Sequence, residues 1–587
     1  MHNRWLIASC AALGLVALAV AAFMLIAPRV VAGGLATLAQ QQLGRSVSFR
    51  GGAYLELWPL AVRLDNAALS GANPDDGSFI TAQSAVIPVT LGQIFGARPE
   101  VSGIALDGAE VALLIDERGT ASWDVAARAP GATTIRLEQA RLRYFDARNG
   151  QSMEIAHVDG TLEMRADGGV SFTGSAVING RLVRVDAGLK SLARVNADGS
   201  PLELVLSANE GSASFSGRLA TARVLSLAGP VSLSSATPGP ALRLLGLPLP
   251  EGANPAGPIT IDGALDAAGR AFAIRNATLA IGSLHAVGEI AADLRNGQPR
   301  LQASLTADTL WLDDAIPAAG ATGGDWGRRP LPFGLLRGID AELSLKARNL
   351  RYADAAAGPG SVALKLAGGK LDATLAAGIG SNGRLDIGVK ADATVLPPSV
   401  SLRFDAEDTP VQPLLGALTG ARQITGKGDL VADLQATGAT QEELAGTLKG
   451  TARVGIAAGR IAGVDLAGLF LAAKHKILDS WQAAPGATGF DNLNGDATVE
   501  DGIFTFRELR MESPSLTVSA GGIIDVLRQG LTISATAAVN GQPLLPVPVI
   551  ARGLWAKPRI YPDIPDILSN PEGGFARLQD VPALQGN

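Results

Sequence analysis

Side chains that could do acid–base or metal chemistry are few in this chain and scattered along it. Adjacent carboxylates occur at Asp75–Asp76 and Asp313–Asp314, but neighbours in a strand or turn point apart, so no shared proton or metal site is expected there. No histidine lies in HExxH or another zinc-ligand spacing. The histidines are His2, His157, His285 and His475.

Motifs for nucleophilic or phosphate chemistry are also missing from the sequence. There is no Walker loop, no GxSxG and no dinucleotide fingerprint. Cys10 is the single cysteine, which excludes an intrachain disulfide and a cysteine-rich metal site. The Gly368–Gly369 and Gly521–Gly522 pairs indicate strand ends or bulges. The sequence therefore predicts a protein that is not an enzyme and carries no cofactor or metal.

The elements that position the side chains are predicted to be β-strands, because apolar and polar residues alternate along most of the chain. Clear examples are Leu202–Ser207, Glu342–Lys346, Leu385–Lys390 and Leu531–Thr536. Turn signals such as Asn149–Gly150 separate the strands and favour successive antiparallel hairpins. The predicted fold class is mainly β, a long antiparallel sheet with few short helices.

Composition supports a thin, extended sheet. Aromatic residues make up only 4% of the 587 residues, whereas glycine is abundant at 71, and aromatics contribute much of the buried area of a compact core. The net charge of −6 is small for this length, so nucleic acid is not expected as a partner.

A charge-free stretch from Trp5 to Ala27 predicts one transmembrane helix, since about 20 apolar residues cross a bilayer. Arg4 precedes the stretch, which places the short N-terminus in the cytoplasm and the chain after Arg29 on the far side. A cleaved signal peptide is the alternative, but its apolar region is usually shorter. A short amphipathic helix is predicted over 29–44, ending at Gly44.

Two further helical signals occur late in the sequence. Thr440 to Glu443 is a capping-box pattern, and a helix is predicted over about 465–481. This helix could cap an open end of the apolar sheet face or could dock a partner. Its apolar stripe contains Leu466, Leu469, Phe470, Ile477 and Trp481.

Composition shifts divide the chain into six segments. Gly- and Pro-rich stretches at 238–258 and 317–332 indicate corners or linkers, and the end of the chain is rich in proline. The segments are a cytoplasmic stub with anchor (1–28), a short helix (29–44), an N-terminal β region (45–240), a middle β region (259–420), a C-terminal β region (421–562) and a tail (563–587).

The candidate binding residues are apolar side chains at every second position of the predicted strands. They could fill an ordinary β-sandwich core, or acyl chains could cover them, because a sheet with one apolar face must cover it. Periodicity alone leaves both alternatives open. The candidates are Val111, Leu113, Ile115, Leu202, Leu204, Leu206, Leu343, Leu345, Val362, Leu364, Leu366, Leu385, Ile387, Val389, Leu531 and Ile533.

Two regions carry a recognisable order of motifs. In Ser46 to Val125, Trp58–Leu69 is followed by Val101–Gly108 and then by a segment that ends at Trp123. In Ile424 to Pro562, a capping box and an apolar helix pattern precede further strands. Behind an N-terminal apolar segment, this order resembles the AsmA family of Gram-negative envelope proteins, which is related to the bridge-like lipid transfer proteins.

The resemblance implies a periplasmic body, anchored in the inner membrane by a single N-terminal helix, whose long sheet curls into a gutter with an apolar concave face. It implies binding of phospholipid acyl chains and a contribution to phospholipid transport, outer-membrane assembly and envelope integrity. The expected partners are phospholipid and the inner membrane. A non-enzymatic assembly or regulatory factor, which binds envelope proteins through its sheet edge or C-terminal helix, is the alternative. The sequence leaves the oligomeric state open.

Overall fold

The structure is a computed structural model that describes most of the chain after residue 44. The predicted anchor, Trp5 to Ala27, and the predicted tail lie outside the described residues. No helix within the described part of the chain is long and apolar enough to span a membrane. The described residues are 32–34, 36–37, 40, 45–71, 77–90, 103–124, 132–209, 211–237, 239, 257–295, 297–312, 327–328, 330–352, 355–463, 465–466, 486–514, 516–539, 542–543, 548–555 and 558–562.

The chain divides into two units, which are described separately. Unit 1 contains residues 1–249 and 257–277, and unit 2 contains residues 250–256 and 278–587. This division is not that of the predicted segments, which stay a prediction. Of the predicted helix over 29–44, the described positions 32–34, 36–37 and 40 are helical.

Unit 1 is built from strands that pair mostly with their neighbours in sequence. Pairing is antiparallel from β1 to β3 and from β6 to β13, whereas β4 and β5 both lie parallel to β6. The strands are β1 (Val47–Leu57), β2 (Leu60–Ser70), β3 (Ser78–Pro88), β4 (Gly103–Asp107), β5 (Glu110–Ile115), β6 (Thr133–Asp146), β7 (Gln151–Met164), β8 (Val170–Ile178), β9 (Arg181–Leu189), β10 (Ser200–Ala208), β11 (Gly211–Ala220), β12 (Ser226–Ser235) and β13 (Ile259–Ala268). The next strand, β14 (Ala271–Ile281), spans the division between the units.

Unit 2 repeats this organisation. Its strands pair in sequence order and antiparallel, except that β16 and β17 are parallel and that β19 and β30 each bypass a short strand. The strands are β15 (Leu284–Asp293), β16 (Arg300–Trp311), β17 (Asp340–Tyr352), β18 (Ala355–Ala357), β19 (Gly360–Ala367), β20 (Lys370–Ile379), β21 (Gly383–Asp392), β22 (Ser399–Pro410), β23 (Ile424–Thr437), β24 (Lys449–Ala462), β25 (Ala487–Glu500), β26 (Ile503–Glu512), β27 (Leu516–Asp525), β28 (Gly530–Val539), β29 (Gln542–Pro543), β30 (Val549–Leu554) and β31 (Arg559–Pro562).

The prediction of a mainly β fold with few short helices is confirmed, but the wholly antiparallel sheet is wrong because each unit is mixed. Parallel neighbours need a long crossover connection, whereas a hairpin needs only a tight turn. Residues 116–132 connect β5 to β6, and residues 312–339 connect β16 to β17. The Gly- and Pro-rich stretch over 317–332 thus belongs to a crossover.

Three short helices lie in unit 2 among the residues that the structure describes there. They are α1 (Phe333–Gly338), α2 (Val411–Thr419) and α3 (Gln441–Gly446). The Thr440 hydroxyl accepts a hydrogen bond from the Glu443 N–H at 3.1 Å, and the Glu443 carboxylate accepts one from the Ala439 N–H at 2.6 Å. The first contact satisfies a donor that the first turn of a helix leaves unpaired, so the N-cap half of the predicted capping box is confirmed. The Glu443 carboxylate binds the N–H of the residue before the cap, Ala439, and not that of Thr440.

Candidate lipid-binding face

Strand register places the apolar candidates of unit 2 on one face of its sheet. Directly opposed residues on neighbouring strands point to the same side, so a chain of opposed pairs defines a row across the sheet. The central row consists of Leu305, Leu345, Val362, Leu375, Ile387, Phe404, Ala432, Ala452, Ala497, Phe506, Gly522, Ile533 and Ala551. With about 4.8 Å between strands, this row runs for roughly 60 Å.

Two further rows flank the central row on the same face. The far row contains Ala303, Leu343, Leu364, Ala373, Val389, Leu402, Leu434, Gly450, Val499, Phe504, Ile524, Leu531 and Gly553. The helix-side row contains Ala347, Gly360, Ala377, Leu385, Ala406, Leu430, Val454, Gly495, Leu509, Ala520, Ala535 and Val549. Leu366 is two residues after Leu364 on the same face of β19, and it is opposite Leu371. The structure therefore brings the ten unit 2 candidates together on one apolar face.

Much of this face is only half-buried. Leu343, Leu364, Val389 and Leu402 of the far row are neither buried nor fully exposed, and Leu531 is the same. Leu434 and Val499 of the far row are buried, at 7% and 2% exposed, as are Leu345 and Leu366 at 5% each. A second packed layer would bury large aliphatic side chains almost completely. From β17 to β22 the far row is thus an apolar strip that keeps part of its surface accessible.

α2 covers the part of the helix-side row around Ala406 and Leu430. Val411 is fully buried, and Leu414 packs with Phe404 and Ala406. Gly428 lies below the helix, where a Cβ atom would come 3.1 Å from a Val411 methyl and closer still to the Gly455 carbonyl. Glycine at this position lets α2 approach the sheet and close one side of the face.

The opposite face of unit 2 is charged and exposed. Lys365, Asp372 and Lys390 are directly opposed on consecutive strands, and Lys390 Nζ lies 3.5 Å from Asp372 Oδ2. Lys370 and Asp392 form a second pair at 3.2 Å. A 760 Å³ pocket lies among these residues. Its lining has four lysines and three aspartates, and the Lys390–Asp372 and Lys370–Asp392 contacts are solvated pairs that contribute little.

Unit 1 has an apolar face of the same kind. The Leu204 row runs through Ile104, Ile135, Leu162, Phe172, Ala187, Leu204, Phe215, Val231 and Gly263. The Leu206 row runs through Ala53, Leu64, Ala85, Leu106, Leu137, Gly160, Gly174, Val185, Leu206, Ala213, Leu233 and Ile261. Leu202 is two residues before Leu204 on the same face of β10, and it is opposite Leu189 and Gly217.

The three candidates of β5 lie in a different environment. Val111 and Leu113 are opposite Leu142 and Tyr144 of β6, and Ile115, only 1% exposed, packs with Ala121, Trp123 and Tyr144. We refer to Ile115, Ala121, Trp123 and Tyr144 as the closed cluster. The cluster is covered by residues 121–123, which follow β5, so Ile115 packs in an ordinary core. Val111 and Leu113 are only partly buried.

A buried ion pair adjoins the closed cluster. Asp146 is fully buried, and Arg148 donates to both of its carboxylate oxygens at 2.9 and 2.8 Å. Arg148 also donates to the Thr221 and Ala222 carbonyls, each at 2.7 Å, and Asn149 donates to Asp146 at 3.0 Å. These bonds tie the β6–β7 turn to the end of β11.

The electrostatics of the pair follow from these contacts. The hydrogen bonds from Arg148 hold the pKa of Asp146 below its usual range, and they raise the pKa of Arg148. Burial, with a smaller contribution from the Asp146 charge, raises the pKa of Tyr144 to about 12. A bidentate Arg–carboxylate pair with further hydrogen bonds is a structural anchor.

The predicted helix over 465–481 is described only at its start. The Leu466 N–H donates to the Thr488 hydroxyl at 2.8 Å, and the Leu466 side chain packs against the buried cluster around Ile456 and Phe490. Leu469, Phe470, Ile477 and Trp481 lie outside the described residues. The choice between a cap and a docking surface stays a prediction.

Sequence reasoning missed α2 and the buried ion pair. A signal for α2 was present, because Val411, Leu414, Leu415 and Leu418 follow helical spacing, with Pro410 before them and Gly420 at the end. Gly420 adopts φ 75°, and its N–H bonds to Gly416, as in a helix C-cap. Arg148 gave no comparable signal, because an Asp–x–Arg spacing in a turn is common and its other partners are backbone carbonyls distant in sequence.

The described residues contain no group of three or more metal-ligating side chains. The fold and the apolar face together define the class of protein. It is a mainly β protein whose mixed sheets carry an apolar, partly accessible face. The AsmA family model matches residues 271–509, the region that contains most of the unit 2 face. Over this region the chain is similar to the AsmA family.

One curated relative supports the family match. Protein AsmA of Escherichia coli (strain K12) is 23% identical over 234 residues, which cover 38% of this chain and 38% of that relative. The match thus spans well under half of either protein. No solved structure matches the chain.

Proposed function

We propose that this chain binds the acyl chains of phospholipid on its apolar rows and contributes to phospholipid transport and outer-membrane assembly. The observation that carries the proposal is the far row of unit 2, whose side chains from β17 to β22 are only partly buried. Similarity to the AsmA family over residues 271–509, which suggests an envelope-related function, supports it.

The chemistry of the far row suits an acyl chain. Its side chains are aliphatic or aromatic, and neighbouring rows add further apolar surface on both sides. Each methylene group buried against such a surface contributes about 0.8 kcal/mol. An extended hydrocarbon can therefore bind without a specific polar contact, which agrees with the charged groups lying on the opposite face.

The proposed setting follows the sequence. The segment Trp5 to Ala27 anchors the chain in the inner membrane, the N-terminus is cytoplasmic, and both β units are periplasmic. The binding is non-enzymatic: the rows provide a curled, apolar groove along which hydrocarbon lies. Partners in this proposal are the membrane and its phospholipid.

Mass spectrometry of the purified full chain tests acyl-chain binding. Phospholipid should co-purify with the wild-type protein, and Leu364→Asp should lose most of it because the substitution puts a charge in the far row. Ala363→Asp is the matched control, since Ala363 is the exposed neighbour on the other face of β19. It should retain the lipid.

Two outcomes would overturn the proposal. One is a wild-type protein that purifies without lipid, and the other is equal lipid loss in the two variants. Thermal unfolding of both variants checks that Leu364→Asp remains folded. Crosslinking from Lys474 and Lys476 to other envelope proteins, without lipid in the rows, would favour the assembly-factor alternative.

A further inference from the structure

The hairpin formed by β1 and β2 ends in an exposed apolar tip. Trp58 is 97% exposed, and Leu57 and Tyr54 are each 52% exposed. Tryptophan is highly buried on average in soluble proteins, so a fully exposed one beside an exposed leucine requires an explanation. Tyr54 is set back from the turn, since it is opposite Arg63 and its hydroxyl donates to the Gly51 carbonyl at 3.1 Å. We call Leu57 and Trp58 the hairpin tip.

The tip is held firmly by the strands below it. Register is continuous from Ala53 opposite Leu64 to Leu57 opposite Leu60, and the Leu60 carbonyl accepts a hydrogen bond from the Val89 N–H at 3.1 Å. Leu55 and Leu60 pack against the core that contains Val62 and Leu64. The exposed side chains are therefore presented on a paired hairpin.

The tip is also where the apolar face of unit 1 reaches the end of its strands. Leu57 and Leu60 are opposed, and the next pair inward on the same face is Leu55 with Val62, which continues to Ile87. One position further inward, Leu64 belongs to the Leu206 row. Apolar surface thus continues from the accessible tip into the candidate lipid-binding face.

We propose that the hairpin tip inserts into the interfacial region of a phospholipid bilayer, where it places the end of the apolar face against the lipid. The inference rests on the proposed function and deepens it by naming the point of contact with the membrane. Trp combines an apolar body with a polar edge, and this combination concentrates it at membrane interfaces.

The sequence favours a lipid surface over a protein as the occupant. Only a short stretch of chain separates the end of the predicted anchor, Ala27, from Trp58, and it is too short to form another domain. A tip near the membrane-anchored end of the chain meets the bilayer first. Exposed apolar side chains at such a place gain free energy by entering the interface.

Photo-crosslinking of the full chain tests the contact. A benzophenone amino acid replaces Trp58 in one variant and Val205 in a control; Val205 is 46% exposed and lies opposite Asp186 and Ser214 on the polar face of β10. After reconstitution into vesicles of phosphatidylethanolamine and phosphatidylglycerol, position 58 should give several-fold more lipid adduct. Equal adduct at the two positions overturns the inference.

A second measurement separates the tip from the groove. The same photo-crosslinker at Leu204 reports lipid that is bound on the apolar face. When vesicles are replaced by detergent micelles, lipid adducts at position 204 should persist. Lipid adducts at position 58 should fall to the level of the Val205 control. If position 58 is unlabelled in vesicles while position 204 is labelled, the tip inference fails and the proposed function stands. If position 204 is never labelled, the proposed function fails.

Transfer kinetics give the functional readout. Trp58→Ala should slow lipid exchange between the chain and vesicles several-fold without reducing co-purified lipid, and Trp58→Phe should restore most of the rate. Because Trp58 is exposed, neither variant should change thermal stability. An unchanged exchange rate in Trp58→Ala would contradict the inference.

Discussion

The closed cluster of unit 1 and the far row of unit 2 arise from the same sequence pattern. They differ in whether another segment of the chain packs over the apolar side chains. Ile115 and Leu364 both belong to runs in which every second residue is apolar. Ile115 is 1% exposed beneath Ala121 and Trp123, whereas Leu364 is half-buried. The alternation determines which face a side chain occupies, and other segments determine whether that face is sealed.

The cover comes from connections between strands. The crossover after β5 must pass over the sheet to bring β6 parallel to β5, and it carries Trp123 onto the apolar side. In unit 2 the insertion of α2 between β22 and β23 covers the part of the helix-side row around Ala406 and Leu430. Hairpin turns add no such cover, so rows crossed only by hairpins keep accessible apolar surface.

The largest effect is expected for Asp146→Asn, which should destabilise the region around the closed cluster. The change leaves the largely buried Arg148 without its bidentate acceptor, and breaking a buried pair costs about 3 kcal/mol or more. Hydrogen exchange of peptides from β6 and from 190–222 should speed up, while peptides of unit 2 should not change.

Asp198→Asn provides the control for this variant. The Arg194–Asp198 pair is also an Arg–Asp contact, but both side chains are more than half exposed, and exposed pairs contribute little. Exchange in unit 1 should stay at the wild-type rate. Equal effects of the two variants would contradict an anchoring role for Asp146.

Truncation of one side chain in each region measures the difference in cover directly. Ile115→Ala should cost about 3 kcal/mol because it leaves a cavity in a sealed core. Leu364→Ala should cost about 1 kcal/mol, since a half-exposed side chain loses only part of its transfer free energy and opens no closed cavity. The local opening free energies from hydrogen exchange give both values.

Addition of phospholipid sharpens this comparison. Lipid that covers the far row should slow exchange in β19 to β21 and leave peptides around Ile115 unchanged, because a ligand stabilises only the state that binds it. Equal costs for the two truncations, with no lipid effect, would mean that the far row is sealed like the closed cluster.

The strands and their faces could be predicted from the sequence because period-two alternation is a local property. Leu204, Leu345, Ile387 and Ile533 were placed in strands, and register sets each of them in an apolar row. The N-cap at Thr440 was predictable for the same reason, since its donors and acceptors lie within five residues.

The parallel pairs could not be predicted, because they depend on contacts between distant segments. Ile115 ends an unbroken apolar run, Val111–Ile115, whereas Leu364 lies beside Lys365. That run indicates burial on both faces, but it does not indicate that Ala121 and Trp123 provide the cover. The Arg148 contacts to Thr221 and Ala222 likewise join residues more than seventy positions apart. Such contacts leave no periodic signal in the sequence.

A smaller effect is expected when the Asp146 contact is weakened by acid. The folded state lowers the pKa of Asp146, so its contribution to stability is complete above the ordinary aspartate pKa of about 4 and is lost as the pH falls through the lower, folded value. Arg148 keeps its carbonyl acceptors after protonation, which limits the loss.

Thermal unfolding as a function of pH checks this contribution. The wild-type melting temperature should fall more steeply below pH 4 than that of Asp146→Asn, which has no carboxylate to protonate at this position. Parallel pH profiles for the two proteins would mean that the Asp146–Arg148 contact contributes nothing to the acid sensitivity.

The smallest effect is expected for Thr440→Ala at the start of α3. The substitution removes one acceptor for the Glu443 N–H and should destabilise this exposed helix by about 1 kcal/mol. Thr440→Ser keeps the acceptor and should restore most of the loss. Hydrogen exchange of 440–447 reports the change, and the exchange of β19 to β21 should stay constant in both variants because α3 packs on β23. A faster exchange in β19 to β21 would show that the far row depends on α3 for its stability. The accessibility of the far row would then be caused by its neighbourhood to α3 and not by the hairpin connections.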